Sequence, residues 1–517
     1  MYQPQPFDNF GAGLNLKSKA DAVGTDEAID LMNVVFTDRG AIEQRDGYTQ
    51  LTSSALTNAV GSLHPYYSTS GTKQLLAGCG TRLEALNTSG GVVASDTGLT
   101  TGTWDFARFG TPNNEYAYAG NGSNSMRRWS GSAWATVANS PKGGSLCVKP
   151  KSNRLVCTRF VVASGEPTGG TQASSPDVVY FSDAGAPETW TSTSWVTLTP
   201  GDGEKIQACV SWRDYVIIFK ESKFFVFTEE STDVDGLPVF NYYTVDTGVG
   251  AIGPLAVTAT EDGVYFVGRN GLYVTTGDAP EKLSDPVDPI FLGGSSDYFT
   301  GGELSASLIS SVAVGNWREQ IFIAYSQGGS YNDRTLVYDT TDGWWSLWNL
   351  PATSFATFRP SSTEDLVFGY STGSNDVGQM NENQTNDDGS ATTSYWRGGF
   401  QDFGSPENKA VRQQKIWGSG KVFCAVSSDY AVGTGTNVAL DFSDPSVTTW
   451  GGSTWGGGSW SRAVGLNVDH RRVAIRGTQF STYFYNAILN QSWSVHRLEH
   501  HIRGARQTTV KKTEVVY

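Results

Sequence analysis

Cysteine is scarce in this chain: Cys79, Cys147, Cys157, Cys209 and Cys424 are five among 517 residues, odd in number and far apart. That pattern excludes a disulfide framework and any closely spaced thiolate zinc cluster, and it predicts reduced thiols in a cytosolic product. Charge is sparse as well. Only 17% of residues are Asp, Glu, Lys or Arg, and their balance of −14 excludes a broadly basic nucleic-acid coat. Long hydrophobic runs are missing: the most apolar stretch, Tyr215 to Phe227, is broken by Lys220-Glu221-Ser222-Lys223 and is unable to span a bilayer as a helix. Met1 to Pro6 has neither the basic start nor the apolar core of a signal peptide, so an extracellular role is expected to come through lysis or assembly. Gly248-Val249-Gly250-Ala251-Ile252-Gly253 fits the dinucleotide-binding pattern by letter, but it joins two strand-like segments with no helix after it and reads as a turn.

What the chain does have is glycine and aromatics. Sixty glycines, nineteen prolines and 12% aromatic residues describe a turn-dense chain of strand formers, with too much apolar surface for disorder. Its length predicts two or three domains. Helical periodicity is confined to Asp26 to Asn33, where Ala28, Leu31 and Met32 would face inward. Val34 to Phe36, a turn at Asp38-Arg39-Gly40, and Ala41 to Tyr48 read as a hairpin.

A polar turn followed by a short strand recurs at Leu75, Tyr116, Leu155, Tyr215, Val264, Ile321 and Leu366, in steps of 39 to 60 residues. The mean step, about 48, suits the four-stranded repeat of a propeller. A four-stranded sheet buries both faces only by stacking on its neighbours. The expected fold is therefore all-β: an arm with a short helix and hairpin over 1–54, then a propeller of about seven blades over 55–385. A series of β-sandwiches is the alternative, and six unbroken steps favour the propeller. The polar run Asn381 to Ser390 marks a boundary, after which 386–517 is expected to be a β-sandwich-like domain with a basic tail. Residues 462–517 hold nine Lys or Arg and three Asp or Glu, so a net of +6 there leaves −20 elsewhere.

No catalytic, cofactor-binding or metal-ligating set assembles from these residues. His496, Glu499, His500 and His501 would offer two zinc ligands on a helix, but Trp493, Val495 and Leu498 fit a strand, which makes surface histidines at an edge the expected reading. Ser182 to Trp190 resembles the Asp-box turn of sialidase-type propellers, a structural hairpin element, with one residue missing between Ser and Asp. Trp450, Trp455 and Trp460, five apart on a glycine-rich stretch, point to opposite faces if extended; they are either core residues of a hairpin or anchors between subunits. Arg497, Arg503 and Arg506 of the basic segment are further candidates for a subunit or partner interface.

Three segments carry a family resemblance: Asn9-Phe10-Gly11-Ala12-Gly13-Leu14-Asn15-Leu16, Asp26 to Phe36, and Asp38-Arg39-Gly40 through Arg45-Asp46-Gly47-Tyr48. Together with Ser182-Asp183 and Pro187-Glu188-Thr189-Trp190 they resemble the tail nozzle and tail hub proteins (tail tubular protein B-like) of short-tailed bacteriophages. Gly11-Ala12-Gly13 stands where that family has a GGLN-like opening. The resemblance implies a propeller with added β-domains, made in the host cytoplasm and located in the virion tail. It implies a homohexameric ring below portal and adaptor, with tail fibres, spikes or a plug around it and double-stranded DNA passing without tight binding. It supplies no catalytic residue and no cofactor. Asp202, Glu204, Asp233, Asp235, Asp285 and Asp288 are the acids expected to line such a channel, while Arg39 and Arg45 are expected to make structural bonds. A carbohydrate-binding propeller of the tail tip is the alternative function, and a glycosidase the next.

Overall fold

The structure is a computed structural model and describes residues 3–37, 39–111, 114–160, 176–191, 194–232, 238–295, 297–371, 375–381, 384–429, 438–442 and 467–504. Strand accounts for 53% and helix for 3%. Seven antiparallel sheets stand around one axis as a seven-bladed propeller. The blades open with Ser62–Tyr67, Asp105–Thr111, Gly143–Lys149, Ala208–Trp212, Val257–Ala259, Ala313–Trp317 and Ala352–Phe358. These first strands touch one another in succession, and that of blade 7 touches that of blade 1, so they line the axis of a closed ring.

All seven residues marked by the sequence repeat fall in the second strand of their blade. The reason is burial. A second strand has a neighbouring blade on each face, so its side chains are apolar at consecutive positions instead of alternating. Val264–Gly268, for example, is buried at every residue. The step from Val264 to Ile321 contains the short helical turns Asp285–Val287, Asp288–Leu292 and Ala306–Ser311.

Blade 7 is completed from the other end of the chain. Tyr48–Gln50 pairs antiparallel with Val377–Met380 as its fourth strand, and Asp387 joins Tyr48 in parallel. The hairpin read over 34–48 is therefore shorter, Val34–Phe36 with Ile42–Gln44, because Tyr48 leaves it for the propeller.

The helix expected at Asp26 to Asn33 does not form. Glu27–Met32 is a strand, parallel to Gly13–Leu14 and antiparallel to Ser394–Gly398, and buried at five of its six positions. Ala28, Leu31 and Met32 do face inward, but so do Ile29 and Asp30. A strand covered on both faces has no period of its own, which is how it passes for a short helix.

Beyond the propeller, the 20-residue strand Lys409–Ser428 organises the C-terminal domain. Its first half pairs with Asn467–Gly477 and Trp493–Gly504, its second with Val438–Asp441 and Phe480–Asn486. The resulting eleven-stranded arrangement takes five strands from the N-terminal arm: Gln3–Phe7, Gly13–Leu14, Glu27–Met32, Val34–Phe36 and Ile42–Gln44. One apolar core runs from Phe10 and Leu31 in the arm through Val267, Trp317 and Phe368 in blades 5 to 7 to Trp396, Ile416 and Phe484 beyond them.

Candidate functional site

Residues of the three N-terminal segments that carry the family resemblance meet in one buried joint, while Ser182 to Trp190 lies apart from it in blade 3. Asn33 follows the arm's strand with φ at 54°, a left-handed conformation that asparagine tolerates better than most side chains. Its fully buried amide donates to Asn349 Oδ1 at 2.6 Å and to the Thr393 carbonyl at 2.7 Å. Its Oδ1 accepts Arg45 Nε at 2.9 Å and the backbone N–H of Asn349 at 3.1 Å. Arg45, itself 1% exposed, forks onto Asp387 with bonds of 2.9 and 2.8 Å, donates to the Asp46 carbonyl, and lies 5.5 Å from the Trp348 ring. A buried guanidinium with its donors committed in this way is costly to disturb, because removing either partner strands a charge. Two motif glycines are fixed by contact: a Cβ on Gly13 would sit 2.6 Å from Trp345 N, and one on Gly47 would sit 1.9 Å from Asn386 O. Phe10 packs edge-on against Trp396 at 5.2 Å. The joint ties arm, blade 6, the end of blade 7 and the entry to the C-terminal domain.

Within the propeller, a cavity of about 650 Å³ follows the axis. Asp105 lies on its wall, with its carboxylate accepting the backbone N–H groups of Phe106 and Leu146 and the Ser145 hydroxyl at 2.8 to 2.9 Å. Burial raises its pKa nonetheless. His64 stacks on Phe106 at 5.5 Å and is pushed down to about 4 by burial, so it is neutral at physiological pH. Ser145 is occupied, donating to Asp105 and accepting from Cys209 N. The five cysteines are free and buried, and burial pushes Cys79 and Cys424 up to about 12, far from a reactive thiolate. Among the described residues no group of His, Cys, Asp and Glu is placed to hold a metal ion. A duplex whose major groove alone is about 12 Å wide has no room in this cavity. A DNA passage would have to run between copies of the chain.

The four described acids among those expected to line a channel are engaged in ion pairs or backbone contacts. Asp202 accepts from Lys220 at 3.0 Å and lies 3.4 Å from Lys223; although its own burial opposes the change, hydrogen bonds from Lys220 and Thr199 hold its carboxyl well below the usual range. Lys220 is wholly buried and also reaches Asp177 at 2.8 Å, tying blade 4 to blade 3. The charged break in the apolar run at Tyr215 to Phe227 is therefore an internal clamp, a role the sequence signals only as an interruption. Glu204 accepts the Ser222 backbone N–H at 3.3 Å. Asp285 and Asp288 share Lys17 and Lys282, the shortest contact being 2.6 Å from Lys282 to Asp288. Asp233 and Asp235 lie outside the described residues, as do Trp450, Trp455, Trp460 and Arg506.

Of the remaining candidates, Arg497 stacks on Trp417 at 4.9 Å and pairs with Asp8 at 3.0 Å, which binds the arm to the last strand, while Arg503 is exposed. Trp493–Gly504 is a strand, as its apolar residues imply, but its histidines are not all on the surface. His500 is buried, bonded to Thr482 at 3.1 Å and Gln414 at 3.3 Å, and burial pushes it down to about 3. His501 pairs with Glu499 at 2.7 Å. Alternation along the strand separates His500 from both. Ser182 to Trp190 links the third and fourth strands of blade 3: the Ser182 hydroxyl accepts Leu155 N, and Glu188 accepts from Tyr118 and Arg128 of blade 2. Both contacts are structural. Gly248 to Gly253 is the turn from blade 4 into blade 5.

No protein-family model matches the chain, and no curated protein matches it. Among solved structures it is similar to Raptor from Chaetomium thermophilum, at TM-score 0.42 and 11% identity, over 65% of this chain and 29% of that one. It is similar to BBS1N in complex with ARL6DN at TM-score 0.38 and 9% identity, over 66% and 99%. BamB from Moraxella catarrhalis follows at TM-score 0.35 and 12% identity, over 65% and 98%. The chain thus spans less than a third of the Raptor chain, and likenesses this distant say nothing of activity or partners.

Proposed function

We propose that this chain is a structural subunit of a short phage tail, the nozzle or hub that forms a ring below portal and adaptor and passes the genome between its copies. In this reading it is made in the host cytoplasm, carries fibres, spikes or a plug, and catalyses nothing. The observation that carries the proposal is the joint at Asn33, Arg45 and Asp387: Asn33 and Arg45, from the N-terminal segments that resemble the tail family, meet Asp387 where arm, propeller and C-terminal domain are held together. A conduit subunit needs that stiffness and needs no poised nucleophile. Internal pairing of the acids at Asp202, Asp285 and Asp288 serves the same end. Six copies in a ring require a heterologous, head-to-tail interface that closes. Electron microscopy of the purified protein and of virus particles tests the reading. Rings with an open lumen, present in the tail, are the expected result. A protein that stays monomeric and is missing from particles would overturn it, and selective binding on a glycan array would favour the carbohydrate-binding alternative.

A further inference from the structure

We infer that the outer face of the C-terminal sheet is a contact surface for the phosphate backbone of double-stranded DNA. The inference needs no second copy and stands apart from the ring reading. Strand register builds the surface. Val411, opposite Ile475 and Ile502, points into the domain, as does Gln414 opposite Arg471 and His500 after a one-residue bulge. The alternate positions face outward. They form two rows across three strands: Arg476, Ala410 and Arg503 in one, Arg472, Gln413 and His501 in the next. Arg472, Arg476 and Arg503 are exposed, and among the described residues none has an acidic partner. Neighbouring strands are about 4.8 Å apart, so Arg476 and Arg503 stand about 10 Å from each other with only an alanine between them.

Sheet stability does not ask for this arrangement, since nearby like charges on one face repel. Glu499, on the same face, is already shared by His501, Lys415 and Arg497, and Asp429, beside Gly477, is taken up by the Thr478 and Gln479 backbone N–H groups. Arginine presents a planar fork that matches phosphate oxygens. An acidic face of a second copy is the competing partner. Asp202, Asp285, Asp288, Glu188 and Glu230 are each paired with a Lys or Arg of their own chain and are poor candidates for such a face, whereas Asp214, Glu261, Asp262 and Asp342 are exposed, so the oligomeric state of the triple variant below decides between the two partners. DNA offers unpaired phosphates, and the acidic balance elsewhere would confine contact to this patch.

Anisotropy titration of the full chain with a short labelled duplex tests the inference, alongside the triple variant R472Q/R476Q/R503Q. Three phosphate contacts predict that affinity falls about 40-fold between about 50 and 200 mM salt. The triple variant is expected to lose at least about tenfold in affinity at the lower salt and to flatten the salt dependence, with an unchanged melting temperature. R213Q/R318Q, on the propeller rim, serves as the positional control and is expected to bind like the parent. Absence of salt-dependent binding by the parent would overturn the inference, and so would a triple variant that binds as well as the parent. A triple variant that changes the oligomeric state while binding DNA normally would assign the face to subunit contact instead. Binding as expected by a protein that remains monomeric would sustain this inference and sink the ring.

Discussion

At the scale of single residues, the electrostatics of this molecule are settled mostly by burial. Asp30 shows it best. Its carboxyl, 3% exposed, accepts the Thr300 hydroxyl at 2.9 Å and the Tyr395 hydroxyl at 3.4 Å, with the Arg397 charge also favouring ionisation. Burial outweighs all of these and raises its pKa from 3.8 to about 7. The folded state therefore keeps a proton that the unfolded chain has lost between those values, so this group makes stability fall as pH rises from about 4 to about 7 and then level off. D30N removes the titration while keeping an amide oxygen for the two hydroxyls. Across about pH 5 to 7.5 the melting temperature of the parent is expected to fall relative to that of D30N, which should be at least as stable as the parent at the upper end. Buried His64 and His500, pushed down by burial, give slopes of opposite sign, but they do so equally in both proteins. Parallel melting curves would show that Asp30 is ionised in the folded state. Neither the raised Asp30 nor the Arg45–Asp387 pair was legible beforehand, because each depends on partners hundreds of residues away.

At the scale of elements, legibility followed burial on two faces. The second strand of every blade announced itself as a compact apolar run, whereas fourth strands such as Glu281–Lys282 and Trp195–Thr197 are short and partly exposed, with no pattern to read. The same physics misled at Glu27–Met32, where five consecutive buried side chains imitated a helical turn. Tyr48–Gln50 shows what pairing over long distance does. A three-residue strand has no stability of its own, and this one completes blade 7 because Gly47 allows the chain to pass directly against Asn386. G47V places side-chain atoms where the Asn386 carbonyl lies, so Tyr48–Gln50 should detach and leave the edge of Val377–Met380 unpaired. Hydrogen exchange followed by mass spectrometry is expected to show faster exchange in peptides covering 48–50 and 365–380, with those of blade 3 unchanged. Uniform acceleration throughout the propeller would mean that closure holds the whole ring; unchanged exchange would mean that the strand contributes nothing.

At the scale of the whole molecule, the repeat in the sequence points to the propeller, but the chain does not fold as three successive pieces, and the sheet of blade 7 runs past the polar stretch near residue 385 to Asn386–Asp387 and Ser390–Ala391. Composition reports what a segment is made of and says little about where it goes. The arm contributes five strands to the C-terminal domain and one to blade 7, and the core shared by Phe10, Phe368 and Phe484 leaves no apolar boundary between the parts. Residues 386–517 cut out alone would therefore lose every strand of the arm, including Gln3–Phe7 on the last strand and Glu27–Met32 on Ser394–Gly398. They would also expose Trp396 and Phe484, which Phe10 covers. Uncovering aromatics costs on the order of 2 kcal/mol each, a large share of the net stability of a domain this size. The isolated fragment is expected to be unfolded or aggregated, and joining residues 1–46 to it through a flexible linker should restore a cooperative thermal transition and protected amides. A fragment 386–517 that folds unaided would separate the C-terminal domain from the arm and remove the physical basis for treating the chain as one rigid body.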